Sequence, residues 1–257
     1  MIETFAYFLF SFAGVLFGLF GSGGSIIIIP ILIYLFHFPI YEATNYSLIL
    51  VFIISFVSSL KHFHKKNIVI KDIVFFLIPT VIFTLISRSL IFPLIPDEIQ
   101  FLKVNKKTLL MFLFSIVVFF SGLSILIKND LKNSKSGKIS MFLLGILVGL
   151  LTGLLGIGGG FIIVPSLVIF SNFNMKRAAA SGLFIIMINT MSALVLEFAI
   201  FEFDFDVSLI IKSSSILLLG TIVGIKLHDY LDVIFVKKLF SFTLLVLSLL
   251  IIIIELF

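Results

Sequence analysis

A chain of 257 residues that is 61% hydrophobic and only 12% charged, with a mean hydropathy of +1.32, has more apolar surface than a water-soluble domain of that size can hide, so its solvent is largely lipid. The net charge of +5 does not point to nucleic acid, because the basic residues fall between apolar runs, where they act as topology signals. With no cysteine and four scattered histidines, disulfides, thiol catalysis and thiolate metal sites are excluded, and no metal or other cofactor is expected.

The chain opens Met1-Ile2-Glu3-Thr4, without the basic flank or small-residue cleavage site of a secretory signal peptide, so the first apolar segment is expected to be retained. Uncharged runs follow at 5–36, 43–60, 73–92 (interrupted by Arg88), 108–127, 139–175, 178–196, 207–227 and 239–254. Runs 5–36 and 139–175 are too long for one ordinary span. The first is broken by Gly21-Ser22-Gly23-Gly24 and the second by Gly156-Ile157-Gly158-Gly159-Gly160, which predicts two helical pieces joined by unwound backbone in each. The fold class expected is all-α: a polytopic membrane protein of two tandem repeats, each a Gly-broken helical hairpin followed by three transmembrane helices.

The breaks are copies of one another. Residues 18–30 align without gaps on 153–165, with eight of thirteen positions identical at a constant offset of 135, ending in Pro30 and Pro165. The same offset carries Gly14 onto Gly149, Ala43 onto Ala178 and Leu48 onto Leu183, so a tandem duplication is read, with one repeat at 1–132 and the other at 133–257. If each broken run crosses the membrane once, nine of the eighteen basic residues face the cytoplasm. If each returns as a hairpin, thirteen do: Lys61, Lys65, Lys66, Lys71, Lys128, Lys132, Lys135, Lys138, Lys176, Arg177, Lys226, Lys237 and Lys238. The hairpin threading is preferred; it gives each half an odd number of crossings and makes the halves inverted, a recurrent transporter architecture.

Unwound backbone inside a bilayer is tolerated only where protein or a water-filled cavity satisfies it, so each Gly cluster is a candidate site wall. A new helix is expected to begin beyond each break, near Ser25 and Phe161, and two positive helix ends aimed at the bilayer middle would hold an anion. The binding residues proposed on this basis are Ser22, Gly23, Gly24, Ser25, Gly158, Gly159 and Gly160. Asn45 and Ser47 in the first half, and Ser181 and Asn189 in the second, are expected to supply further neutral donors. Gly14, Gly18, Gly145, Gly149 and Gly153 follow GxxxG spacing and read as packing. Arg88 and Lys226 are expected to snorkel to the interface, and every Asp and Glu falls near a predicted span end. Neither Gly cluster is followed by Lys-Ser or Lys-Thr, and no HExxH or GxSxG occurs, so no catalytic residue is proposed.

These features resemble the sulfite exporter TauE/SafE family of membrane transporters: the paired Gly-rich signatures ending in Pro30 and Pro165, the stretch Asn45-Tyr46-Ser47-Leu48, the basic loop from Lys65 to Asp72, and Gly220, Gly224 and Lys226. The Gly-Thr-Ser-Leu usual for the family after the first hairpin reads Asn45-Tyr46-Ser47-Leu48 here, and its second-half counterpart reads Ala180-Ser181-Gly182-Leu183. The resemblance implies transport of small sulfur-containing anions across the cytoplasmic membrane, usually outward. The expected protein is a permease, not an enzyme, whose partners are a small anionic substrate and the lipid bilayer, with no nucleic acid. A permease or channel for another small solute, a membrane-embedded enzyme, and an accessory subunit of a larger complex are the rival readings.

Overall fold

The computed structural model describes residues 2–21, 23–64, 70–99, 103–127, 138–170, 173, 175–200 and 204–256. Helices account for nearly all of them. In chain order they are α1 (Ile2–Phe20), α2 (Ser25–Pro30) running into a π-helical stretch (Ile31–Leu35), α3 (Ile40–His64), α4 (Ile70–Ile86) running through a second π-helical stretch (Ser87–Ile91) into the short α5 (Phe92–Leu94), α6 (Lys106–Ile127), α7 (Lys138–Leu155), α8 (Gly160–Phe170), α9 (Met175–Ile200), α10 (Val207–Tyr230) and α11 (Val233–Leu256). A two-stranded antiparallel ribbon, β1 (Glu98–Ile99) with β2 (Val104–Asn105), bridges α5 and α6 and was not foreseen.

Among the described residues seven helices are long and apolar enough to cross a membrane, with α7 and the α2 segment as shorter apolar pieces. Large side chains such as Phe8, Phe120, Leu219 and Phe242 point outward on these helices, as lipid contact requires. The chain is a multi-pass membrane protein.

Both broken runs are hairpins. α1 and α7 each end on a glycine in the left-handed region, Gly21 at φ 77° and Gly156 at φ 67°. Each donates its N–H back to the carbonyl four residues earlier, Phe17 and Thr152, both at 2.8 Å, which is how a helix is stopped and its last carbonyls satisfied. The chain then reverses. Phe36, past the π-helical stretch, meets Tyr7 edge-on and Phe10 at a tilt on α1, both at 6.1 Å between ring centroids, which is possible only if α2 returns alongside α1. Pro30 has no N–H to give the ladder, and the wider π hydrogen-bonding begins directly after it.

The long helices pair in a crossed fashion. The most extensive contacts join α1 with α10, α4 with α7, α6 with α11, and α3 with α9. The GxxxG glycines sit in these seams as packing residues. A Cβ on Gly14 or Gly18 would strike the α10 backbone at Leu217 and Thr221, and one on Gly145, Gly149 or Gly153 would strike the α4 backbone at Phe76, Thr80 and Thr84. Gly220 and Gly224 return the contact from α10 against α1. α10 is capped by Asp206, whose carboxylate accepts from the N–H groups of Ser208 (2.8 Å) and Leu209 (3.2 Å). The Asp206 N–H donates to the Tyr46 hydroxyl of α3 at 2.7 Å, which ties the start of α10 to α3.

Candidate functional site

The first tip packs on α9, where Gly21 lies against Ala179. The second packs on α3, where Gly156 lies against Thr44. These contacts obey the 135-residue offset, since Gly21 maps to Gly156 and Thr44 to Ala179. α3 and α9 run antiparallel, because Asn45 near the start of α3 donates to Glu197 near the end of α9 at 3.0 Å. On α9 the contacts of the two tips are seven to eleven residues apart, from Ala179 beside Gly21 to Ile186 and Thr190 beside Gly158, or about 10–17 Å at 1.5 Å per residue. The returning arms meet as well, since α2 and α8 touch.

The proposed site residues are accordingly distributed. Ser22 lies outside the described residues, as do the basic loop positions Lys65 and Lys66, Lys128, Lys132 and Lys135. Gly23, Gly24, Gly158, Gly159 and Gly160 are all buried. A Cβ on Gly24 would overlap the Ala13 carbonyl of α1, so this glycine, at φ −70°, is required for close approach and not for a left-handed turn. Gly158 and Gly159 do need the left-handed region, at φ 71° and 70°. Gly158 faces Val51 of α3 together with Ile186 and Thr190 of α9, and Gly159 backs onto Thr152 of α7. Ser25, at the start of α2, is fully buried.

Ser47 on α3 and Ser181 and Asn189 on α9 are fully buried. Ser47 Oγ, Ser181 Oγ, and both Asn189 Nδ2 and Oδ1 have no hydrogen-bond partner, and neither do Ser58 Oγ and Ser59 Oγ of α3 or Thr152 Oγ1. Each such group costs about 1–3 kcal/mol when left unmet. From Ser47 towards one end, through Asn189, to Ser58, Ser59 and Ser181 towards the other, they form a sequence of unmet polar atoms along the central helix pair. Asn45 is not among them, because its amide is engaged by Glu197 and Arg88.

Arg88 does not snorkel. Its side chain is 0% exposed, and Nε bonds Glu197 Oε2 at 2.9 Å, with the Glu197 side chain 2% exposed. Arg88 Nη1 donates to Thr44 Oγ1 at 3.0 Å, Nη2 donates to the side-chain amide oxygen Oδ1 of Asn45, and Nη2 reaches Glu197 Oε1 at 3.4 Å. The guanidinium lies over the Phe92 ring at 4.5 Å, and Lys106 Nζ lies 4.0 Å from the same ring while donating to the Phe92 carbonyl at 2.7 Å. Two charges taken out of water survive only when paired and hydrogen-bonded, as these are. The cluster adjoins the second tip through Thr44, so a buried cation, and not neutral donors alone, stands beside one hairpin. At the 135-residue offset, Thr44, Asn45 and Arg88 become Ala179, Ala180 and Val223, so these side chains do not recur at that spacing. Sequence reading missed the pair because its members are 109 residues apart and each lies within a few residues of a span end. A charge interrupting the apolar run 73–92 was the one available signal.

No solved structure matches the chain. It is 31% identical to a probable membrane transporter protein of Methanocaldococcus jannaschii over 188 residues, 71% of this chain and 67% of that protein. It is also 29% identical to a probable membrane transporter protein of Haemophilus influenzae over 184 residues, 67% of this chain and 64% of that protein. The chain thus spans about two thirds of the length of these relatives. The model of the family described as sulfite exporter TauE/SafE matches residues 6–251, nearly the whole polypeptide, and the chain belongs to that family of membrane transporters.

Proposed function

We propose that the protein is a permease that moves small anions, sulfite or an organosulfonate foremost, outward across the cytoplasmic membrane without changing them chemically. The observation that carries this reading is the set of buried polar atoms without partners on α3 and α9, at Ser47, Asn189 and Ser181. Unmet hydroxyl and amide groups inside a membrane protein are retained where a polar solute or water satisfies them in passing. Donors without a permanent partner suit an oxyanion, and the family's description as a sulfite exporter supports the sulfur oxyanions among them.

The reading includes two inverted repeats, 1–132 and 133–257, that rock against one another. It draws support from the crossed pairing of α1 with α10 and α4 with α7, in which each half lends a hairpin arm to the other. The substrate contacts in this reading are Gly23, Gly24, Ser25, Asn45, Ser47, Gly158, Gly159, Gly160, Ser181 and Asn189, with Ser22 at the first tip. Flux of sulfite, thiosulfate and methanesulfonate in proteoliposomes containing only this chain is the test. Movement of at least one is expected. Movement of none of them, with a neutral solute crossing instead, overturns the anion assignment.

A further inference from the structure

We propose that Arg88 is the cationic anchor for the transported anion, and that Glu197 is an internal counter-ion holding its place when no solute is bound. The inference rests on the anion-permease reading and adds to it a charged subsite that the Gly-rich tips do not supply. In the structure the Glu197 carboxylate receives Arg88 Nε–H at 2.9 Å and Asn45 Nδ2–H at 3.0 Å, with Arg88 Nη2 at 3.4 Å from the same oxygen as Asn45. The Tyr41 hydroxyl also bonds it. Such an array of donors around two oxygens is what a sulfite or sulfonate group would need, and guanidinium is suited to binding planar or pyramidal oxyanions through two parallel N–H groups.

The cluster is also placed to respond to movement of the second hairpin. Thr44, which accepts from Arg88 Nη1, touches the Gly156 turn. Arg88 itself lies in the π-helical stretch Ser87–Ile91, a local widening of the helix that is often found where a side chain is aimed at a functional site. A purely structural ion pair would need neither feature.

An arriving anion and a charged Glu197 cannot share one guanidinium in a medium of low dielectric. When a singly charged anion such as a sulfonate or hydrogen sulfite takes Arg88, a proton from the aqueous phase therefore adds to a Glu197 oxygen, forming an O–H bond, and the cluster keeps its net charge. The titratable and charged groups around Glu197 are Arg88 from the π-helical stretch after α4, Tyr41 from α3 and, behind Phe92, Lys106 from α6 with Asp97 beyond it. α9 adds no second ionisable side chain at that end among the described residues.

The experiment follows the unfolding midpoint of the detergent-solubilised full chain as sodium methanesulfonate, sulfite or thiosulfate is titrated, together with proteoliposome flux of the same anions. Glu197→Gln, which leaves Arg88 without its carboxylate, is expected to titrate at about tenfold lower anion concentration than wild type. The double variant Arg88→Gln with Glu197→Gln keeps hydrogen-bonding groups and removes both charges. It is expected to remain monodisperse and helical and to lose the anion response and the flux. Methanesulfonate keeps its charge across neutral pH; its apparent affinity is expected to rise as pH falls in wild type and to be independent of pH in Glu197→Gln. A double variant that binds and carries the anions like wild type makes the pair structural and overturns this inference while leaving the permease reading intact, as does a Glu197→Gln variant with unchanged affinity. A wild-type protein blind to all three anions overturns the anion reading itself.

Discussion

Gly156→Ala tests whether the second hairpin tip is held by α3. The residue has φ 67°, where an L side chain costs about 1–2 kcal/mol. Its Cβ would stand 2.6 Å from Thr44 Cβ, 2.9 Å from Thr44 O and 3.0 Å from Thr44 Cα, against about 3.5–4.0 Å for ordinary carbon contacts. Two of these atoms are backbone of a long helix, so no rotamer change relieves the overlap, and forced overpacking of this kind adds about 1–3 kcal/mol. The total is about 2–5 kcal/mol of lost stability. Displacement of Thr44 also disturbs its hydroxyl, which donates to Tyr41 O at 2.8 Å and accepts from Arg88. Because the chain has no tryptophan, unfolding is best followed by far-UV circular dichroism in mixed micelles with increasing denaturing detergent. Gly182→Ala is the control. Its Cβ would meet only a Val164 methyl at 2.9 Å and an Ile163 methyl at 3.6 Å, which side-chain motion can relieve, and its helical position gains about 0.8–1 kcal/mol of propensity. If the two variants unfold alike, the tip is not braced by Thr44 and the strain argument is refuted.

Ser47→Ala and Ser181→Ala are each expected to raise the stability of the solute-free protein, since each removes an unmet buried hydroxyl, and to weaken anion affinity about two- to tenfold in a binding titration. A loss of stability in either would mean that the hydroxyl already has a partner. Gly159→Val places a β-branched side chain at φ 70° against Thr152, and it is expected to abolish flux in proteoliposomes while the chain still inserts; normal flux would make the tip a packing device alone. The cysteine-free background permits single-cysteine mapping: residues introduced at Glu98 and Asp204 are expected to react with impermeant thiol reagents from outside, and those at Asp232 and Lys238 from the cytoplasm. Cytoplasmic reactivity at Asp204 would restore a single-crossing threading.

Much of this architecture was legible in the residues themselves. Apolar runs longer than a span, interrupted by clustered glycines, report locally on lipid burial and on backbone reversal, and the structure places α1, α2, α7 and α8 where those signals predicted. The GxxxG seams and the burial of the Ser47 and Ser181 hydroxyls and the Asn189 amide were equally readable, because small and polar residues in a membrane helix must face protein. Lateral arrangement was not. Distance along a helix gives depth in the bilayer but says nothing about which face meets which neighbour, so the separation of the two tips along α9 emerged only from the antiparallel packing of α3 and α9. Arg88 is the sharpest instance. Read linearly, it is a cation near a span end, for which the interface is the cheaper place. Only in the tertiary structure does it have a carboxylate 109 residues away at 2.9 Å, with Thr44 and Asn45 completing its hydrogen bonds, and only such a set of partners makes a buried guanidinium affordable in lipid.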